Sequence, residues 1–165
     1  MLMHVTLNDI PENIRTQVID LLNQRLADGI DLHLQAKQAH WNVKGPQFIA
    51  LHKLFDEIDA GVREYADLLA ERVVQLGGTA EGSRMAVAEC SELPQYPDAI
   101  TGGDEHVWAL SNALATFGRL MRIAIEEIAD LGDAGSADLC TEISRGIDKW
   151  LWFVEAHVAE AVAPA

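Results

Sequence analysis

Apolar residues recur at helical spacing along most of this chain. Ile14, Val18, Leu21, Leu22 and Leu26, continuing to Ala36, predict a first helix over about residues 10–39. Asp9-Ile-Pro-Glu12 reads as its start, with Asp9 as cap, Pro11 in the first turn and Glu12 at the reciprocal capping position. Trp41 to Pro46 breaks the pattern; Gly45 suits a positive φ and Pro46 suits the opening of a helix. The stretch from Gln47 to Gly78 then reads as one long helix stopped by Gly77-Gly78. From Thr79 to Gly103 the period is lost, with a short helix expected over Arg84 to Cys90. The third long helix starts at Thr101 to Asp104, buries Val107, Leu110, Leu114, Phe117, Met121, Ile125 and Ile128, and ends between Asp130 and Gly135. Ser136 is the expected cap of the fourth, whose buried stripe is Leu139, Ile143, Ile147, Trp150, Leu151, Val154 and Val158. Residues 1–8 form a short lead-in and 161–165 a neutral tail. The sequence shows neither strand-like alternation nor an internal repeat.

The whole chain, residues 1–165, reads as a single domain with a sizeable core. A connection of about 25 residues is long for a compact domain. It is long enough to run the length of a bundle and let the second and third long helices lie parallel. The expected fold class is therefore all-α, a ferritin-like four-helix bundle with a long crossover between helices 2 and 3.

Charge narrows the function. There are 26 acidic against 12 basic residues, for a net charge of −14. That balance repels nucleic acid and acidic membranes and favours cations. The sequence has no signal-peptide pattern and no apolar run long enough to span a bilayer, which makes the cytoplasm the expected location and no membrane partner expected. Cys90 and Cys140 lack a metal-binding or redox spacing and read as small buried thiols.

The candidate chemistry sits mostly on the second helix. His52 with Asp56 and Asp67 with Glu71 are each spaced i, i+4, and the four fall at roughly 0°, 40°, 60° and 100° around the helix, so they share one stripe. His40 closes the helix before. Imidazole with carboxylate suits iron, zinc or manganese. Asp56 and Asp67 are nevertheless about 16 Å apart along the axis, too far to share one ion. Either the pairs are unrelated, or a second copy of the chain completes the site. The residues three before the six histidines are Met1, Ile30, Lys37, Ile49, Gly103 and Val154, so no Glu-x-x-His motif is present. A di-iron site inside one bundle is thereby excluded, and with it ordinary ferritin, bacterioferritin and the related oxygenases. Two antiparallel copies of the second helix would bring one copy's His52/Asp56 end to the other's Asp67/Glu71 end. The midpoint lies between Gly61 and Val62. A mid-helix glycine there costs about 1 kcal/mol relative to alanine, which either a close backbone crossing at a two-fold axis or a bulky packing neighbour would explain.

At this point the residues resemble a known family. Ala39-His-Trp-Asn-Val-Lys-Gly-Pro-Gln-Phe48, Leu51-His52, Phe55-Asp56, Asp67, Glu71 and Gln75-Leu-Gly-Gly78 look like the Dps proteins, mini-ferritins named as DNA-binding proteins from starved cells; Ile147 to Phe153 resembles that family's last helix. The resemblance covers nearly the whole chain. It implies a twelve-subunit hollow shell built on two-fold dimers. Such a shell is a ferroxidase: it oxidises Fe(II), preferentially with hydrogen peroxide, and stores ferric mineral, protecting against oxidative damage. Iron is the metal handled, with zinc as a competing ion. The implied ligands are His40, His52 and Asp56 of one subunit with Asp67 and Glu71 of its two-fold mate, and Trp41 matches an aromatic kept beside the centre to relay or trap an oxidising equivalent. Acidic three-fold pores near the junction of the last two long helices would draw on Asp130, Asp133 and Asp138, although Asp138 also suits a helix first turn. Glu57 and Glu64 lie close in angle to Glu71 and read either as nucleation points inside the shell or as a solvated face. The chain departs from the family name in one respect. Its first basic residue is Arg15 and residues 161–165 carry none, so DNA binding and a DNA-compacting role are disfavoured. A third reading is a structural oligomer with merely solvated carboxylates.

Overall fold

The computed structural model describes residues 3–158, which form five helices: α1 (Glu12–Asn42), α2 (Phe48–Gln75), α3 (Arg84–Cys90), α4 (Gly103–Leu131) and α5 (Ala134–Glu155). The neutral tail at 161–165 lies outside the described residues, as do the first two residues of the lead-in. Helices α1, α2, α4 and α5 are the four of the ferritin-like bundle, and α3 rides on the crossover. Pairs α1–α2 and α4–α5 pack as hairpins, and α1 against α4 and α2 against α5 close the bundle. Its core runs through Leu22, Leu32, Leu51, Phe55, Ile58, Leu69, Leu110, Phe117, Met121 and Ile147, all fully buried. No described helix is long and apolar enough to cross a membrane.

The boundaries follow local chemistry. Asp9 does not cap α1: the cap position is Pro11, whose carbonyl accepts from the Ile14 and Arg15 amides, while Asn8 Oδ1 takes the Ile10 amide. Helix α1 also continues through Trp41 and Asn42, because the break comes only at extended Val43 and at Gly45, with φ 110°. Helix α2 ends on Gly77, with φ 91°; the Gly77 amide bonds to the Val74 carbonyl and the Gly78 amide to that of Val73, a Schellman closure. Helices α4 and α5 are joined by two residues. Gly132 ends the first, and Asp133, not Ser136, caps the second by accepting from the Ser136 amide at 3.0 Å. Ser136 lies inside the first turn, so its hydroxyl donates to Asp133 and accepts from Arg72 Nε. Cys140 is buried, which pushes its thiol up to about 12, whereas Cys90, at the end of the two-turn α3, is exposed rather than buried as expected.

The crossover is fastened to α1 by polar groups. Asn23 bonds to Thr79 and Glu81, Asp28 accepts from the Glu92 amide at 2.7 Å, Asp31 accepts from the Ser91 hydroxyl and Gln35 donates to the Pro94 carbonyl. Asp28 is fully buried; Arg25 Nε is 2.8 Å from its Oδ2 but not aligned as a hydrogen bond. Burial therefore outweighs the Glu92 amide and the Arg25 charge, and raises the Asp28 pKa from 3.8 to about 6.

Glycines mark where α5 approaches α2. A Cβ at Gly61 would lie 3.1–3.2 Å from the Trp150 indole of the same chain. A bulky intrachain neighbour thus accounts for this glycine, and it lends no support to a backbone crossing between copies. A Cβ at Gly146 would lie 1.9 Å from the Tyr65 hydroxyl oxygen and 2.6 Å from its Cζ. Gly146→Ala is expected to lower unfolding free energy by about 1–3 kcal/mol through overpacking, read by denaturant titration. The Asp28 shift predicts a pH signature. Its folded pKa lies above its unfolded value, so the folded state binds the extra proton, and the stability that proton confers is present below about pH 4 and lost as pH rises through about 6. Asp28→Asn lacks this loss, so its melting temperature relative to the parent should move upward between pH 4 and pH 7.

Candidate metal centre

The end of α1 and the start of α2 meet at a corner built by two histidines. His40 Nδ1 lies 2.7 Å from the His52 carbonyl oxygen, and His52 Nδ1 lies 2.8 Å from the His40 carbonyl oxygen. A carbonyl only accepts, so both Nδ1 atoms carry protons and donate. Both neutral rings are thereby fixed with Nε2 as the free lone pair, the state a metal ligand requires. The rings stack with centroids 3.8 Å apart at 20°, and Phe48 packs tilted against His52.

Asp56 is one turn beyond His52 and 54 % exposed. His40 Nδ1 is 4.0 Å from its Oδ1. The nearer partner is Lys37, whose ammonium is hydrogen-bonded to that oxygen and holds the carboxyl below its usual pKa. A cation thus already sits on this carboxylate. Trp41, the next residue after His40, is 66 % exposed.

Asp67 and Glu71 are exposed on the far half of α2. Asp67 borders a recess shared with His33 and Arg63; Glu71 borders one with Ala70, Val74, Gln75 and Ala80. The fold thus brings together His40, His52 and Asp56 and leaves Asp67 and Glu71 apart from them. Among the described residues, no three metal-ligating side chains of one chain converge on an ion-sized point. Glu57 and Glu64 are exposed on the same helix. Of the acidic residues at the α4–α5 junction, Asp130 and Asp138 are exposed, and Asp130 shares a groove with Asp20 and Glu127. Asp133 is buried. Burial opposes its ionisation, but two hydrogen bonds from Ser136 and the Arg72 guanidinium at 3.0 Å outweigh it and hold its carboxyl below the usual value. It is a helix cap with a fixed counterion, and that corrects its reading as a free pore carboxylate.

Four residues of the neighbourhood escape sequence reasoning: His33, Lys37, Asp59 and Arg63. Asp59 is 2 % exposed, with Arg63 at 3.0 Å, His33 Nδ1 at 3.3 Å and Lys37 Nζ at 3.8 Å. Burial lowers the His33 pKa, only partly opposed by Asp59. The signal was present as spacing. His33, Lys37 and His40 repeat at four and three along α1, and Asp56, Asp59 and Arg63 at three and four along α2, so the two stripes form a polar ladder between antiparallel helices.

Known proteins resemble this chain over nearly its whole length. A family model described as a ferritin-like domain matches residues 19–161. The chain is 48 % identical, over 97 % of its own length and 99 % of the relative's, to a DNA protection during starvation protein of Agrobacterium fabrum. Among solved structures, the tetragonal form of Mycobacterium smegmatis Dps is 33 % identical with a TM-score of 0.91, covering 97 % of this chain and 98 % of that one. Dps from Microbacterium arborescens in the high iron form is 31 % identical with a TM-score of 0.85, covering 94 % and 99 %. The ferritin-like bundle, the histidine corner and relatives matched over nearly their full length lead to one conclusion: this chain belongs to the Dps proteins of the ferritin-like family.

Proposed function

We propose that this protein oxidises Fe(II) at centres shared between two copies of the chain and stores the ferric product inside a closed twelve-subunit shell. Its family supports iron storage and protection of DNA in starvation. The observation that carries the finer reading is the histidine corner, where two imidazoles are locked through Nδ1 with both Nε2 lone pairs free, and Asp56 lies one turn beyond His52. The M. arborescens relative is described in a high iron form, which supports iron as the metal.

The other half of the centre is Asp67 and Glu71 of a second copy. An antiparallel α2 covers the 16 Å or so that one helix cannot bridge. Exposed apolar side chains on α2 support such a cover: Ile49 and Val74 fall at roughly 60° and 40° on the scale that places His52 at 0°, inside the ligand stripe. Two irons held together give hydrogen peroxide its two electrons at once. Two Fe(II), one peroxide and two protons yield two Fe(III) and two waters, and no hydroxyl radical is released. Imidazole and carboxylate hold Fe(II) without thiolate-like tightness, so Fe(III) can leave toward carboxylates facing the interior, with Glu57 and Glu64 as nucleation points. Asp130 and Asp138 are the remaining pore carboxylates. Trp41, exposed beside His40, is placed to accept a stray oxidising equivalent.

Protection on this reading comes from consuming iron and peroxide rather than from coating DNA, since a surface assembled from copies at −14 each offers a phosphate polymer little. The carboxylates also accept zinc, which would compete as an inert occupant.

His52→Ala combined with Asp56→Ala is expected to slow ferrous oxidation by peroxide at least about tenfold in anaerobic stopped-flow; a double variant as fast as the parent would refute the assignment. Lys37 opposes metal entry, because its charge must leave Asp56 first. Lys37→Gln should tighten Co(II) binding about tenfold, the order expected from removing one charge near a dication in a partly exposed site, read by calorimetric titration of the assembled protein.

A further inference from the structure

Tyr96 and His106 form a pair that the iron reading does not use. Tyr96 lies in the crossover and His106 in the first turns of α4. The phenol oxygen is 2.6 Å from His106 Nδ1, and the rings lie near parallel at 22°. His106 is 1 % exposed. Its Nε2 is buried without a hydrogen-bond partner of good geometry among the described residues, with the Asn42 carbonyl as the polar group beside the ring. A phenol O–H is a far stronger acid than a neutral imidazole N–H, and that sets the direction of the bond at 2.6 Å. The neutral ring is therefore protonated at Nε2, Nδ1 is the acceptor, and Tyr96 donates. Burial keeps both groups neutral: it lowers the His106 pKa against the opposing Asn42 carbonyl and Glu105, and raises that of Tyr96.

We propose that Tyr96 and His106 are a redox pair that takes up single oxidising equivalents. One electron leaves the Tyr96 ring for an oxidant of the hydroxyl-radical class, which becomes hydroxide. The phenol O–H bond breaks and its proton passes to His106 Nδ1 along the existing hydrogen bond. The products are a neutral tyrosyl radical and an imidazolium, with the Asn42 carbonyl as the polar group beside the charged ring. A ferrous ion then returns the electron, becomes ferric, and the proton goes back to the phenol. An oxidised phenol is a strong acid, and an acceptor already at 2.6 Å takes its proton without rearrangement. The protein's other tyrosine, Tyr65, has its hydroxyl against Gly146, with Glu64 and Glu142 acting on it by charge.

Position links the pair to the metal corner. Asn42 ends α1 two residues after His40 and directly after Trp41, so His106 rests against the end of the helix that carries the first histidine of the corner. The oxidant would arise where a lone Fe(II), without its partner iron, meets peroxide and gives Fe(III), hydroxide and a hydroxyl radical, and that source rests on the iron-oxidation reading; the chemistry of the pair does not.

The test starts from iron-free assembled protein, photo-oxidised by laser-generated tris(bipyridyl)ruthenium(III) and freeze-quenched for electron paramagnetic resonance. A tyrosyl signal should appear, persist in Tyr65→Phe and vanish in Tyr96→Phe, with both variants melting close to the parent. His106→Gln should reduce the Tyr96 signal by about a hundredfold, the lower end of what a positioned proton acceptor contributes. A signal that survives Tyr96→Phe and vanishes in Tyr65→Phe overturns the proposal, as does a parent that yields tryptophanyl radical alone. A second arm replaces the ruthenium oxidant by Fe(II) and peroxide. If iron is oxidised there without any Tyr96 signal, the link to iron chemistry is overturned; if no iron is oxidised, the iron reading fails while the first arm still decides the pair.

Discussion

Two imidazole–carbonyl hydrogen bonds, running in opposite directions, hold the last full turn of α1 against the first turns of α2. Each ring satisfies a carbonyl of the opposite helix and in return has its tautomer fixed. The corner is at once a piece of backbone packing and a preorganised pair of ligands. The Lys37 contact to Asp56 and the His40–Asp56 approach depend on the offset this lock imposes between the helices. The same rigidity sets a limit. Because α2 is continuous from Phe48 to Gln75, no side-chain motion brings Asp67 or Glu71 back to the corner. A centre that uses all five residues must take two of them from another copy.

Helix α1 carries this arrangement because it presents polar groups on two sides. Toward α2 it offers His33, Lys37 and His40, which meet Asp59, Asp56 and His52. Toward the crossover it offers Asn23, Arg25, Asp28, Asp31 and Gln35. The crossover needs such fastening, since α3 buries little besides Val87 and contributes little apolar area. Buried charge is a costly way to fasten a chain, and the raised pKa of Asp28 registers that cost. What the polar groups contribute is direction, because a hydrogen bond fixes register in a way apolar contact does not.

A long-range lesson comes from Gly61. Its place at the midpoint of the ligand stripe suggested a symmetry axis, yet the space beside it is filled by Trp150 of the same chain. The inference that a second copy is needed now rests on ligand separation and on exposed apolar side chains along the stripe, which are independent of that glycine. Asp133 teaches the complementary point: an acidic residue at a helix junction is first a cap, and here its carboxylate is committed to Ser136 and Arg72.

Much was legible in the sequence. The helical period gave the four long helices, and Arg84 to Cys90 is helical as expected; the glycines at 45, 77 and 132 mark real breaks because only a residue without Cβ takes those positive φ values cheaply. The placement of His52, Asp56, Asp67 and Glu71 on one stripe, and the gap within it, follow from helix geometry alone. Caps were less legible: Asp9 and Ser136 were both chemically suitable, and shifts of two and three residues in where the chain bends decided against them. What only the tertiary structure decided is which groups face each other across helices: the reciprocal His40–His52 bonds, Lys37 on Asp56, the buried Asp59 beside Arg63, Lys37 and the His33 ring, and Tyr96 on His106. The physical reason is that the period of one helix fixes the angles of its own side chains. The rotation and offset between two helices come from the packing of the whole core, and those set the partners.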